Sequence, residues 1–317
     1  MKKFLVVVLS LTLLMIPLTV WAGAVIDNGT IQMGINDEGH LNTPFSPDPL
    51  GIGYMGLRYM PTGAASTEPG CQCEGWGAGD SLSGRSGYAN VSVDGVVNLI
   101  VESFTSTAST ATSVVKVVDS SGDLYRVTHA YFPSASSNLY QVDVTVENIS
   151  GSATNLLYRR VMDWDIYPTP FSEFVTISHY AIGDLIRTDT NGFNSANPFS
   201  FSSFQLGPVT DAGPDDHGAL FDFNFGPLGV GESKIFTTFY GAAGTETAAL
   251  AALVAVGAEI YSFGQPNVPG GPDLGIPNTF IFAFKGVGAP PIGVPEPTTL
   301  ILIGFGLAGI AVLRKKK

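Results

Sequence analysis

The sequence predicts an all-β protein: a large antiparallel two-sheet sandwich, extending to a supersandwich, with one short helix, a signal peptide in front and a transmembrane helix behind. Three observations predict it. Short runs of alternating apolar and polar residues recur along the chain, the pattern of antiparallel strands with one buried face. Turn-forming residues separate them, as Asp94-Gly95, Ser121-Gly122-Asp123 and Ser150-Gly151 do. And 38 Gly and 21 Pro in 317 residues, with only 13% charged residues, describe a loop-rich secreted protein rather than a helical cytosolic one.

The elements follow in order. Residues 1–24 form a signal peptide: Lys2 and Lys3 give the charged start, residues 4–20 the apolar stretch, and Ala22-Gly23-Ala24 the small-residue cleavage site, cut after Ala22 or Ala24. Residues 25–285 make the β-sandwich ectodomain. Strands are expected at 88–93, 96–104, 113–118, 124–132, 139–149 and 156–166, with consecutive strands pairing as a meander. Further strands are expected at 174–180, 199–206, 219–225, 233–240 and 279–284, between longer loops rich in Asn, Gly and Pro. The helix is expected at 245–258, where Leu250, Leu253, Val254 and Gly257 recur at helical spacing; Thr245 can cap its start and Gly257 lies near its stop.

Residues 286–297 read as a Gly/Pro linker ending in Pro295-Glu296-Pro297. Residues 298–313 are a helix of about 24 Å, short of a hydrocarbon core of about 30 Å, and therefore a marginal permanent anchor. Gly304, Gly306, Ala308 and Gly309 let another helix approach it closely. The cytoplasmic tail 314–317, Arg314-Lys315-Lys316-Lys317, resists being drawn across the membrane. This triplet, apolar helix and basic end, in that order, resemble the PEP-CTERM sorting signal of Gram-negative bacteria. The resemblance implies recognition through Pro295, Glu296 and Pro297 and cleavage by an exosortase, an integral-membrane cysteine protease of the inner membrane. It also implies a host that makes extracellular polysaccharide. It covers the C-terminal tail alone.

Without its processed ends the chain keeps about nine Lys/Arg against 27 Asp/Glu, a formal charge near −18. Such a surface disfavours nucleic acid as a partner and attracts divalent cations. The only cysteines, Cys71 and Cys73, have too few ligands nearby for a zinc site; in an oxidising compartment they form a local disulfide or pair with another chain. The glycine triplets Gly51, Gly53, Gly56 and Gly304, Gly306, Gly309 have the spacing of a dinucleotide fingerprint without its strand-to-helix context, so no cofactor is expected.

Chemistry concentrates in Arg159-Arg160-Val161-Met162-Asp163-Trp164-Asp165. On a strand, Arg159, Val161, Asp163 and Asp165 share one face, while Arg160, Met162 and Trp164 share the other. Asp163 and Asp165 are candidates for holding calcium or for acid and base work on a sugar; the favoured reading has them paired with Arg159 or a neighbouring arginine and Trp164 in the core. Asp215 and Asp216, in an acidic Gly/Pro loop with Asp211 and His217, are a second candidate for calcium. For nucleophilic catalysis the sequence offers four histidines, His40, His129, His179 and His217, and no Gly-x-Ser-x-Gly elbow. The sequence thus leads to an exported, exosortase-processed, non-catalytic protein of the cell surface or extracellular matrix, associated with exopolysaccharide. Its rivals are a carbohydrate-active or carbohydrate-binding sandwich using Asp163, Asp165 and His129 or Glu147, and a calcium-dependent adhesin.

Overall fold

The computed structural model describes residues 23–179, 183–200 and 207–292. The leader before Gly23, most of the strand expected at 199–206, the Pro-Glu-Pro triplet, the membrane helix and the basic end lie outside the described residues. Among the described residues no helix is long and apolar enough to cross a membrane.

The chain opens with β1 (Ala24–Asp27) and β2 (Ile31–Ile35), then a small pair, β3 (Thr43–Pro44) and β4 (Tyr54–Met55). β5 (Leu57–Tyr59) and β6 (Ala64–Ser66) complete a four-stranded sheet in the order β1-β2-β5-β6. Ala24, at the end of the expected signal peptide, already belongs to β1 and pairs with Ile35. Next come β7 (Gly75–Asp80), β8 (Arg85–Asn90) and β9 (Val96–Val97), followed by four long strands, β10 (Leu99–Ser106), β11 (Ala111–Asp119), β12 (Gly122–Pro133) and β13 (Leu139–Asn148). These four do pair as a meander, because each turn is short and the alternation keeps Val115, Val127, Tyr131, Val142 and Val144 on one buried face.

The meander then breaks. β14 (Thr154–Asp163) leaves its predecessor and pairs with β7, and with β18 (Gly218–Leu228) further along the chain. β15 (Glu173–Ser178) and β17 (Val209–Asp215) return to the first large sheet, while β16 (Leu185–Asp189) stays with β18. The acidic stretch expected as a loop is therefore strand as far as Asp215. It is an irregular edge strand, on which Pro214 costs no internal ladder bond. β19 (Ser233–Ala243), helix α1 (Glu246–Val256), β20 (Ile260–Pro266), the four-residue helix α2 (Gly271–Leu274) and β21 (Thr279–Lys285) close the fold.

Two large antiparallel sheets result, β10-β11-β12-β13-β19-β21-β20-β15-β17 and β16-β18-β14-β7-β8-β9. They meet through aromatic rings: Tyr158 lies 4.8 Å from Phe236, Trp76 4.8 Å from His129, and Phe221 5.0 Å from Phe284, each pair spanning the two sheets. α1 covers the outer face of β19, β20 and β21 with Ala249, Ala252, Leu253 and Val256. Those strands are thus buried on both sides, which is why Ile260–Pro266 shows no alternation and escapes the period-two pattern. The helix starts where its cap predicts, the Ala248 N–H donating to the Thr245 hydroxyl, and ends at Gly257 in the left-handed conformation (φ 66°).

Glycine hides the strand Gly75–Asp80 from the sequence. A side chain at Gly77 would run into the Ala196 carbonyl, and one at Gly79 into Phe199, because the segment 194–200 lies directly on β7. The Gly/Pro segment expected to be a linker from 286 is docked through Ile292. The Glu259 carboxylate accepts N–H bonds from Gly286, Val287 and Ala289, and the Ile292 N–H donates to the Ala258 carbonyl.

Candidate functional site

β14 sets the chemistry, since it lies between β18 and β7 and every residue from Tyr158 to Asp163 is buried. Parity sends Tyr158, Arg160 and Met162 into the space between the sheets and Arg159, Val161 and Asp163 to the other face. Trp164 follows the inward set; its indole N–H donates to the Ser262 hydroxyl at 3.1 Å.

The expected pairing of Asp163 and Asp165 with Arg159 does not occur. Arg159 stands opposite Asp222 across the β14–β18 ladder and binds it in a fork, Nε to Oδ1 at 2.7 Å and Nη2 to Oδ2 at 2.9 Å. Arg160 faces the opposite way and binds Glu74, with Nε 2.5 Å from Oε1. Both arginines are thereby consumed.

Asp163, Asp165 and Asp216 instead come together, each offering a carboxylate oxygen within 4.8 Å of the others. Two crossings between the sheets bring this about. The chain leaves the end of β14 through Trp164, Asp165 and Ile166 for β15, and Asp216 and His217 carry it from β17 to β18, where Gly218 pairs with Asp163. The Trp164 N–H donates to the His217 carbonyl at 2.9 Å and ties the two crossings together.

The carboxylates are under-satisfied. Asp163 is wholly buried, and no N–H or hydroxyl of the described residues reaches either of its oxygens; the Asp165 carboxyl can bond it only when one of the two carries a proton. Asp165, also wholly buried, accepts the Cys71 N–H on Oδ2 at 2.8 Å, while its Oδ1 is unpartnered, as is Oδ1 of the half-buried Asp216. Glu173, at the start of β15, is wholly buried as well; its Oε1 accepts the Ile166 N–H at 3.1 Å and its Oε2 has no partner. Burial, reinforced by the charges of Asp165 and Asp216, pushes the Asp163 carboxyl far above the ordinary carboxylate range. Burial also raises Asp165 and Asp216 and lifts Glu173 to about 8. Four carboxyls so placed cannot all be ionised unless a cation compensates them; without one they retain protons.

Cys71 and Cys73 are disulfide-bonded to each other, the local one of the two expected pairings, with Cα atoms 5.0 Å apart. Backbone approaches the carboxylates closely: a Cβ on Gly70 would lie 2.5 Å from Asp165 Oδ1, and one on Gly192 would collide with Asp163 Oδ1.

Other sequence candidates lie elsewhere. Asp215 is exposed at the end of β17 and stands opposite Glu173 in the ladder, with its side chain accepting the Asp216 N–H. His129 and Glu147 cannot serve one substrate with Asp163. His129 points between the sheets, Nε2 3.1 Å from the Tyr158 hydroxyl, and burial beside Arg160 holds its pKa well below the usual histidine range. Glu147 points outward from β13 and binds Arg126 at 2.8 Å. Glu173 was missed in the sequence, although Val175 and Ile177 share its inward parity and marked it as a buried acid. A cleft of about 580 Å³ near the first sheet, lined by Asp37, Glu38, His40, Asn42 and Tyr54 among others, includes none of the four clustered carboxylates.

No curated protein matches the chain. Solved structures that resemble it weakly include two from Lactobacillus. One is a galactose mutarotase related enzyme from Lactobacillus acidophilus, with a TM-score of 0.31 and 11% identity over 83% of this chain and 85% of that one. The other is a galactose mutarotase-like protein from Lactobacillus casei, with a TM-score of 0.32 and 11% identity over 83% and 87%. At such scores neither likeness bears on substrate or reaction. The tail is another matter: residues 293–317 match the PEP-CTERM protein-sorting motif, the signal that Pro295-Glu296-Pro297, the apolar run and the basic end resemble.

Proposed function

We propose that this chain is an exported, non-catalytic protein of the cell surface or extracellular matrix, processed by an exosortase and associated with exopolysaccharide. The sorting motif at 293–317 carries the reading, because it implies recognition by an exosortase and export through a membrane-anchored sorting intermediate. The ectodomain, a large two-sheet sandwich of the supersandwich kind, is then released from, or held at, the outer surface. Its acidic balance suits solubility there. Burial of Asp163, Asp165 and Glu173 supports the non-catalytic part, since a glycan's scissile bond has to reach both carboxyls at once. Because Ala24 pairs in β1, cleavage of the leader after Ala22 keeps the fold whole.

Mass spectrometry of the mature protein from its host tests this reading. A chain that begins at Gly23 and lacks residues 298–317 is expected. A product that retains both ends would overturn it.

One observation favours a carbohydrate-binding or carbohydrate-active alternative. Tyr167 and Phe171 are exposed on the connection from β14 to β15, and the Phe171 ring and Asp165 both lie close to Gly70, an arrangement suited to stacking on a sugar. Replacing Asp163 and Asp165 by Asn separates the two readings. Loss of sugar turnover with the fold retained supports the alternative, and unaltered glycan behaviour supports the non-catalytic one.

A further inference from the structure

We propose that Asp163, Asp165 and Asp216, backed by Glu173, form a binding site for one divalent cation of the calcium class, entered from the half-buried Asp216 side. The site does not depend on where the protein is sent.

Geometry comes first. Calcium holds oxygen ligands at about 2.3–2.6 Å, so donors on one ion stand no more than about 5 Å apart. The three carboxylate oxygens lie within 4.8 Å of one another, inside that limit, and they come from two separate crossings of the chain held in register by the β14–β18 ladder. All the donors are carboxylate oxygens, the hard ligands that calcium prefers over the nitrogen and sulfur that zinc prefers.

The second observation is the unpartnered atoms. Buried polar groups in folded proteins are almost always hydrogen-bonded, yet with the carboxyls ionised five carboxylate oxygens here have no donor: both of Asp163 and one each of Asp165, Asp216 and Glu173. Glu173 stands outside the close triad, so its unpartnered Oε2 is independent of the grouping itself. The arginines that could have neutralised the cluster are engaged with Asp222 and Glu74.

The third is the bare backbone around it. Gly70 and Gly192 bring backbone directly against Asp165 and Asp163, where a side chain would collide with those carboxylates, so the chain closes round the cluster without any side chain entering it from either position. The Cys71–Cys73 disulfide holds the loop whose Cys71 N–H fixes Asp165 Oδ2. Magnesium, which demands near-octahedral geometry at about 2.0–2.1 Å and keeps its water, fits a crowded buried carboxylate group less well.

The test uses the full chain in mild detergent, stripped with EDTA and titrated with calcium chloride or magnesium chloride. Thermal melting is one readout. Terbium luminescence excited through tryptophan is the other, since Trp164 lies between Asp163 and Asp165 in sequence. Calcium is expected to raise the melting temperature by several degrees at concentrations well above its Kd, to do so more strongly than magnesium, and to displace terbium. Asp163→Asn is expected to abolish the response. Asp216→Asn, at the less buried position, is expected to leave the fold intact and weaken the apparent affinity about tenfold or more, which keeps the test decisive if Asp163→Asn fails to fold. Absence of both a melting shift and terbium luminescence would overturn the proposal. So would an undiminished calcium response in Asp216→Asn, which would place the ion elsewhere on the acidic surface.

Discussion

Arg160 is wholly buried between the sheets, and its partners come from five different strands or loops. Its guanidinium binds Glu74, reaches the Gly39 carbonyl and the hydroxyls of Tyr131 and Tyr158, and lies 5.4 Å from the centre of the Tyr240 ring; Tyr240 in turn donates to Glu74. Removing one partner from such a pair strands the other charge in a medium that cannot solvate it. Glu74→Ala is therefore expected to cost about 3–5 kcal/mol, read as a fall in the urea midpoint at unchanged slope. His40 and His129 share this neighbourhood. His40 is held to about 3 by burial first and by Arg160 second, with Glu38 4.0 Å from its Nδ1; His129 is lowered by burial, Arg160 and His40. Both imidazoles are thus neutral in the fold. At His40 the unfolded chain takes up a proton below about pH 6.5 and the folded chain does not until about pH 3, so at this residue acid favours unfolding across that window. The melting temperature of the native chain should fall more steeply between pH 6.5 and 4 than that of His40→Gln. Equal slopes would mean that His40 is not held neutral.

At the level of elements, an aromatic seam joins β18 to β19 and β21. The Phe284 ring lies tilted within 4.9–5.0 Å of Phe223, Phe282 and Phe221, so Phe284→Ala leaves a cavity that three rings line, with an expected loss of about 3–5 kcal/mol in equilibrium unfolding. The helix α1 adds a smaller increment at its cap. Thr245→Ala frees the Ala248 N–H and should cost about 1 kcal/mol in the same measurement, a difference small enough to leave the fold unchanged. β7 shows an element made possible by missing side chains: Gly77→Ala would drive a methyl group into the Ala196 carbonyl and lift the covering segment 194–200 from the sheet. That segment supplies the Ser195 and Ser200 carbonyls to Arg159, so the loss would spread to the fork with Asp222.

For the molecule as a whole, the body and its tail are separable in purpose and joined by a docked strap. Glu259 fastens residues 286–289, and Ile292 packs beside α1, so the folded part reaches almost to the sorting motif at 293–317. Replacing Pro295, Glu296 and Pro297 together by Ala should leave the body's melting temperature unchanged and cause a longer, membrane-bound precursor to accumulate, scored by membrane fractionation and intact mass. Normal maturation of that variant would remove the triplet from the processing step.

Much of this molecule was written locally. The alternation from residue 111 to 148, the turns at Ser121-Gly122-Asp123 and Ser150-Gly151, the cap at Thr245 and the three-part tail depend on neighbours a few residues away, so sequence alone determined the β class, the long strands, the helix and the sorting signal. The site was legible only in part. Asp163, Asp165 and Asp216 were singled out by residue type, but their gathering, the addition of Glu173, the capture of Arg159 by Asp222 and the placing of His129 and Glu147 on opposite faces were decided by the tertiary structure. Those outcomes follow from cross-strand register and from where the chain crosses between sheets. They join residues dozens of positions apart, and no local period encodes them.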